Sequence, residues 1–123
     1  MAAKGTIAWL DEAEAHDYPA ALSYLSLVFS ARQAKSYVKK LRAAPIAEFK
    51  AKDIFRASRL SLLGISNSHV EKDRRKILAG TRLSPLLLVR RPALDQVIVA
   101  DGYHRLCSVY SFNEDAVIPC KIV

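Results

Sequence analysis

The chain has 123 residues, of which 51% are hydrophobic, and this combination predicts one folded domain and excludes a largely disordered protein. Its 19 basic and 12 acidic residues give a formal charge of +7, which favours anionic partners such as nucleic acid, nucleotides or phosphorylated substrates. The basic residues are spread along the chain and not gathered in a tail, so a protein that is merely basic is an equally open interpretation.

The N-terminal stretch MAAKGTIAWLDEAEAH has no apolar run of the length that a signal peptide needs. No segment approaches the roughly 20 apolar residues of a transmembrane helix. We therefore expect a cytoplasmic protein without membrane contact, in which Cys107 and Cys120 stay reduced and lie in the core. His104 and Cys107 have helical spacing but no clear further ligands, so no metal site is predicted.

Residues 1–44 have the pattern of two helices. Asp17 is a candidate N-cap, and a stripe of apolar residues then falls on one helical face: Tyr18, Leu22, Leu25 and Phe29. Ser30 and Gln33 have capping-box spacing for a second helix, which Pro45 ends. We expect an antiparallel hairpin whose stripe packs on the rest of the chain, with a homodimer as the alternative.

The pattern after Pro45 predicts alternating helices and strands. We expect a helix over 47–60, a loop over 62–67, and a helix from Ser68, which with Glu71 forms a capping box and which Gly80 ends. A proline-led strand (84–91), a turn (92–95), a strand (96–101), a helix (103–112) and a last strand (116–123) follow. Two nearly continuous apolar strands indicate burial on both faces. The order predicts a mixed α/β (α+β) domain with one small sheet over 45–123, preceded by the helical extension 1–44.

The motif DGYHR, residues 101–105, follows an apolar strand and opens a helix. Ligands of open α/β sheets bind beyond the carboxyl ends of strands, where the next helix presents free backbone N–H groups. Gly102 lets a ligand approach the backbone, Arg105 donates in parallel to a phosphate, and His104 donates or shuttles a proton. Each residue also has a structural alternative. Asp101 and Gly102 are compatible with a turn and helix cap, and His104 with an ordinary surface histidine. Arg105 is compatible with an ion pair to Glu114 or Asp115.

From about residue 53 to its end, the sequence resembles the ParB/sulfiredoxin superfamily. A helix, a proline-led strand, a turn, a strand ending in Gly-x-x-Arg, a helix and the ending IPCKIV come in that family's order. The resemblance implies the fold. Gly102, His104 and Arg105 match the sulfiredoxin motif, which implies phosphate contacts by His104 and Arg105, and Gly102 and Tyr103 are further candidate residues of the phosphate or nucleotide site. Tyr103 replaces the catalytic cysteine of sulfiredoxins, so sulfinic-acid reduction is not expected.

Other branches of the superfamily match differently. Partition proteins share Gly102 and Arg105, but Tyr103 and His104 replace their glutamate and first arginine, which puts CTP hydrolysis in doubt. Free-serine kinases match residues 101–105 best, although their other catalytic carboxylate has no clear counterpart. Partition proteins also carry a DNA-reading module after this core, whereas the present sequence stops at Val123, so sequence-specific DNA reading is not expected.

In the family, the helix that begins near Ser68 lies across the same pocket. His69, Lys72 and Lys76 share one face of it and are further candidate ligands, as is Ser84 more weakly, although lysines that merely solvate the helix are an open alternative. The predicted function is the binding of a nucleotide, with or without Mg²⁺, or of another phosphorylated ligand, in a DNA-related role. The alternatives are a small phosphotransferase or nuclease that uses Asp101 or His104, and a basic nucleic-acid or protein interaction module without catalysis.

Overall fold

The computed structural model describes residues 6–62, 64 and 67–123, so parts of the predicted N-terminal segment and of the loop over 62–67 lie outside the described residues. The helices are α1 (Asp17–Val28), α2 (Ala31–Ala43), α3 (Ala51–Ser58), α4 (Ser68–Ala79) and α5 (Tyr103–Phe112). The strands are β1 (Ile46–Lys50), β2 (Leu86–Arg91), β3 (Gln96–Asp101) and β4 (Val117–Ile122). These elements confirm the predicted mixed α/β class. None of the described helices has the length and apolar character needed to cross a membrane.

The four strands form one mixed sheet in the order β1-β4-β2-β3. The central strands β2 and β4 run parallel, and each pairs with an antiparallel strand at its outer edge. Residues 86–89 of β2 are all buried, because helices cover both faces of the sheet at this strand. The predicted two-sided burial of this strand is therefore confirmed.

The helical hairpin of α1 and α2 covers one face of the sheet. Tyr18 and Leu25 are buried in a cluster with sheet residues, and Leu22 and Phe29 pack against the same cluster; the sheet contributes Leu87, Val89, Ile98 and Ala100. The prediction that the apolar stripe of α1 packs on the rest of the chain is confirmed. On the opposite face, α3 and α5 pack on Leu86, Leu88, Val99 and Ile118.

A buried ammonium group also ties the N-terminal segment to the sheet. The side chain of Lys121, in β4, is only 2% exposed. Its Nζ donates to the Arg42 carbonyl at 2.9 Å and to the Tyr18 hydroxyl at 3.1 Å, and it forms an ion pair with Glu12 at 2.8 Å. All three partners precede the sheet in sequence, so this one lysine links the end of α2 and the start of α1 to β4.

The helix predicted over 47–60 is wrong in its first part. Residues 46–50 form strand β1, in which Ile46 pairs with Lys121 and Lys50 pairs with Val117, and the helix begins only at Ala51. Alanine, glutamate and lysine favour a helix locally, but hydrogen bonding to a distant strand decides the conformation.

Two of the predicted helix starts also differ from the structure. Asp17 is the first residue of α1 and His16 is the N-cap. The side chain of Asn67 caps α4 in place of Ser68, since its Oδ1 accepts from the backbone N–H groups of His69 and Val70 at 3.0 and 3.3 Å. The capping box that begins α2 and the glycine that ends α4 are confirmed.

The two cysteines yield a direct test of the core. Cys107 and Cys120 have no exposed surface, and burial raises the pKa of the Cys120 thiol to about 12. Because the thiolate is the reactive form, we expect neither cysteine to react within minutes with a chromogenic disulfide reagent in the native protein. Both should react after denaturation in urea, and rapid labelling of the native protein would contradict the placement of these side chains.

Candidate functional site

Gly102 is the single residue between β3 and α5. Its φ angle of 107° lies in the region that favours glycine. A β-carbon at this position would lie 2.9 Å from a terminal nitrogen of Arg105 and 2.9 Å from Cγ of Leu86. Glycine therefore allows α5 to begin directly after the strand, with the Arg105 side chain packed against the turn, and the predicted strand-to-helix junction is confirmed.

The first turn of α5 has the properties of an anion-binding helix terminus. The first bond of the helical ladder runs from the Leu106 N–H to the Gly102 carbonyl, at 2.9 Å. The three preceding N–H groups, of residues 103–105, have no partner one turn earlier, and Gly102 has no side chain that caps them. The helix dipole adds partial positive charge at the same place, so this terminus favours a negatively charged group.

The first turn of α5 and one face of α4 border a polar cavity of about 300 Å³. The Ser108 hydroxyl of α5 donates to the Val70 carbonyl of α4 at 2.7 Å and holds the two helices together. The structure brings all but one of the predicted site residues to this cavity, namely His69, Lys72, Lys76, Asp101, Gly102, Tyr103, His104 and Arg105.

A second cavity, of about 250 Å³, shares five lining residues with the first, so the two are neighbours. The remaining predicted residue, Ser84, is buried and lines this second cavity rather than the first. Arg82 and Glu14 lie there as well. The two cavities together form an elongated polar region along α4.

Two hydrogen bonds orient the side chain of Arg105. One terminal nitrogen donates to Oδ2 of Asp101 at 3.0 Å and to the Pro85 carbonyl at 3.3 Å. The alternative that Arg105 pairs with Glu114 or Asp115 is therefore wrong. The Asp115 carboxylate instead pairs with a lysine of α3. The Arg105 Nε is buried and has no hydrogen-bond partner among the described residues, so the guanidinium retains donor capacity.

The carboxyl group of Asp101 has two ionisable neighbours. Its Oδ2 accepts from Arg105, and the carboxyl group of Asp17, whose side chain is only 2% exposed, lies close enough to affect its pKa. Desolvation raises the pKa of Asp101, the nearby Arg105 lowers it, and Asp17 raises it, with a net upward shift. This arrangement makes Asp101 an orienting partner of Arg105, and the predicted catalytic role for it gains no support from the geometry.

His104 lies between two other rings. Its ring centroid is 4.9 Å from that of His69 and 5.5 Å from that of Tyr103. The Tyr103 hydroxyl donates to the Ser61 carbonyl. Burial lowers the pKa of His104, the neighbouring His69 lowers it further, and Asp73 opposes both. His104 is therefore neutral at pH 7, with one nitrogen that donates and one that accepts.

Sequence reasoning missed two residues of the first cavity, Asp73 and His16. Desolvation raises the pKa of Asp73, although the surrounding cations lower it, and its closest ionic neighbour is Lys76 Nζ at 4.0 Å. Asp73 follows His69 by four residues and precedes Lys76 by three, so helical spacing was a usable signal for it. His16 comes from the segment before α1, and no local pattern connects it to the motif at 101–105.

No family model matches the chain, and no curated protein or solved structure matches it either. The relation to the ParB/sulfiredoxin superfamily therefore stays a prediction. Among the described residues, no group of three or more histidine, cysteine, aspartate or glutamate side chains is arranged to hold a metal ion.

Proposed function

We propose that the protein binds a phosphorylated small molecule, with nucleotides among the candidates, in the cavity between α4 and α5. The observation that carries this proposal is that different kinds of anion-binding group line one cavity. They are the N-terminus of α5, the guanidinium of Arg105, and the lysines of α4. Each is a recurrent phosphate ligand in proteins.

The charges around the cavity support an anionic ligand. Lys72, Lys76 and Arg105 contribute three positive charges to the first cavity, and in the neighbouring cavity Glu14 balances the charge of Arg82. Opposing the three positive charges are Asp73 and Asp101, and the carboxyl group of Asp17 lies close to Asp101. The lining of the first cavity thus carries three positive and two negative formal charges. Lys72 forms no ion pair with any described residue, so its ammonium group is available to a ligand.

Size and polarity narrow the class of ligand. A cavity of about 300 Å³ lies at the small end of the range for ligand pockets, and the neighbouring cavity extends it. Charged side chains and imidazoles dominate the lining, which suits phosphate groups better than an apolar ligand. The ring of Tyr103 is the one large aromatic surface in the lining of the first cavity, and it is the candidate for contact with a nucleobase.

A second candidate function is phosphoryl transfer, and the observation that favours it is the position of Asp73. A carboxylate in an anion-binding cavity opposes the binding of a phosphate, so it needs another role. Burial raises the pKa of Asp73 towards the range of an effective general base. The negative charge of Asp73 also opposes the lowering of the pKa of the neighbouring His104. In this role Asp73 would accept the proton of an attacking hydroxyl group, in place of the predicted Asp101.

A thermal-shift panel tests the binding proposal. The panel contains ATP, ADP, CTP, GTP, inorganic phosphate and pyrophosphate, each with and without magnesium. A ligand present at 100 times its dissociation constant stabilises a protein by about 2.7 kcal/mol, which for a chain of this size raises Tm by on the order of 10 °C. We expect at least one phosphorylated compound to produce such a shift.

The matched controls are the parent nucleosides, which lack only the phosphate groups. They should leave Tm nearly unchanged, because the cavity provides its charges for the phosphate. If a nucleoside stabilises as strongly as its nucleotide, or if no phosphorylated compound stabilises the protein, the proposal is wrong and the motif at 101–105 is a turn and cap.

A further inference from the structure

Helix α2 carries most of the net charge of the chain. It contains five basic residues and no acidic residue, namely Arg32, Lys35, Lys39, Lys40 and Arg42. Since the whole chain has 19 basic and 12 acidic residues, the remainder has 14 and 12 and is nearly balanced. The charge that looks evenly spread along the sequence is therefore concentrated on one helix.

The five cations of α2 are exposed and lack counter-charges. All five residues are exposed, while the apolar side of the helix packs on the sheet. None of the five forms an ion pair with a described residue. Cations on other helices do: Arg56 pairs with Asp53 on α3, and Arg75 pairs with Glu71 on α4. The outer side of α2 thus carries five exposed cations without ion pairs on one helix.

Aromatic rings border this charged side and position some of its cations. The Arg42 guanidinium lies over the Tyr18 ring, 4.3 Å from the centroid. The Arg91 guanidinium, in β2, lies over the Phe29 ring, 5.1 Å from the centroid. The Phe29 ring in turn contacts the ring of Tyr37 in α2, with a centroid distance of 4.8 Å. Arg91 therefore extends the positive surface beyond the helix, and stacking on a ring restricts the side-chain freedom that binding would otherwise remove.

The spacing of the cations fits a regular row of negative charges. Arg32, Lys35, Lys39 and Arg42 follow one another at steps of three, four and three residues, so they form a row about 15 Å long on one side of the helix. A nucleic-acid backbone presents phosphates at short, regular intervals and needs no particular register to meet such a row. A membrane is a poorer match, because the apolar side of α2 is buried in the domain and cannot insert into lipid.

We propose that the five α2 cations and Arg91, together called the α2 surface, bind the phosphate backbone of nucleic acid without sequence preference. This inference does not depend on the proposed phosphate cavity, because none of its residues lines that cavity. Contacts of this kind fix position and supply affinity, and they read no bases.

The test is the salt dependence of binding to a 25-base-pair duplex of arbitrary sequence, followed by fluorescence anisotropy. Each neutralised phosphate contributes about −0.9 to the slope of log K against log salt, so engagement of most of the α2 surface predicts a slope of roughly −3 to −5. The combined substitution R32Q, K35Q and K39Q should make the slope less negative by about 2 to 3 and weaken binding at 50 mM salt by at least roughly tenfold.

A matched variant separates a local surface from overall charge. The substitution K50Q, R56Q and R59Q removes the same number of positive charges from exposed positions on β1 and around α3, and it should change the slope by less than about 1. An equal loss in both variants would overturn the proposal, as would a wild-type protein that does not bind the duplex at 50 mM salt. Binding to anionic vesicles in preference to the duplex would also overturn it.

Discussion

Replacing Arg105 with alanine is expected to weaken the binding of the phosphorylated ligand by roughly 10- to 150-fold. A charge-assisted hydrogen bond of this kind contributes about 1.5–3 kcal/mol, which corresponds to that loss. Arg105 lies in the first turn of a helix whose dipole already favours an anion, and its side chain lines the cavity. The measurement is a calorimetric titration with the compound that gives the largest thermal shift.

Two further variants make the Arg105 result interpretable. Arg105→Lys should recover only part of the affinity, because an ammonium group cannot make two parallel bonds to one phosphate. Arg74→Ala removes an arginine of α4 that lies outside the lining of the cavity and should change the affinity by less than about twofold. Because Arg105 also holds Asp101, each variant is first checked for a cooperative unfolding transition. A folded Arg105→Ala protein that binds as tightly as the wild type would rule out the proposed role.

Leu25→Ala is expected to destabilise the protein by about 2–5 kcal/mol. Leu25 is completely buried between the helical hairpin and the sheet, so the substitution removes apolar contacts and leaves a cavity in the core. An effect of this size shows that the helical hairpin of α1 and α2 shares one core with the sheet and does not fold as a separate appendage. The measurement is equilibrium unfolding in urea, followed by circular dichroism.

Leu27→Ala is the matched control on the same helix. Leu27 is 86% exposed, so its truncation should change the free energy of unfolding by less than about 0.5 kcal/mol. A small effect at Leu25, or separate unfolding transitions for the hairpin and the sheet, would show that the hairpin is held only loosely.

The parts of the fold that could be predicted are those whose signals are local and agree with one another. Strand β3 and helix α5 have the predicted bounds, because an apolar run meets Asp-Gly and a helical pattern follows it at once. Strand β1 could not be predicted, because AEFK contains good helix formers and its conformation depends on pairing with β4, about 70 residues later. The cap at Asn67 was ambiguous, because Asn and Ser are adjacent and both cap helices well.

The residues of the candidate site also fall into those that local sequence patterns predict and those that only tertiary contacts bring together. The motif at 101–105 and the helical face of His69, Lys72 and Lys76 are local patterns, and the structure places both at one cavity. Asp17 and His16 reach the same region from the start of α1, because the hairpin packs on the sheet. That packing arises from tertiary contacts, so no spacing within the sequence predicts it. The partner of Arg105, in contrast, has local spacing, because Asp101 precedes it by four residues across the turn.

The close approach of Arg105 to Gly102 constrains the order in which the two positions can change. A terminal nitrogen of Arg105 lies 2.9 Å from the place of a β-carbon at position 102, so a larger residue there must displace the guanidinium and also press on Leu86. A shorter side chain at position 105 vacates that space and leaves only the backbone angle and Leu86 to resist a substitution at position 102. Redesign of the ligand preference can therefore begin at position 105 with the glycine retained, because the φ angle of 107° and the Leu86 contact disfavour a side chain at position 102 in either case.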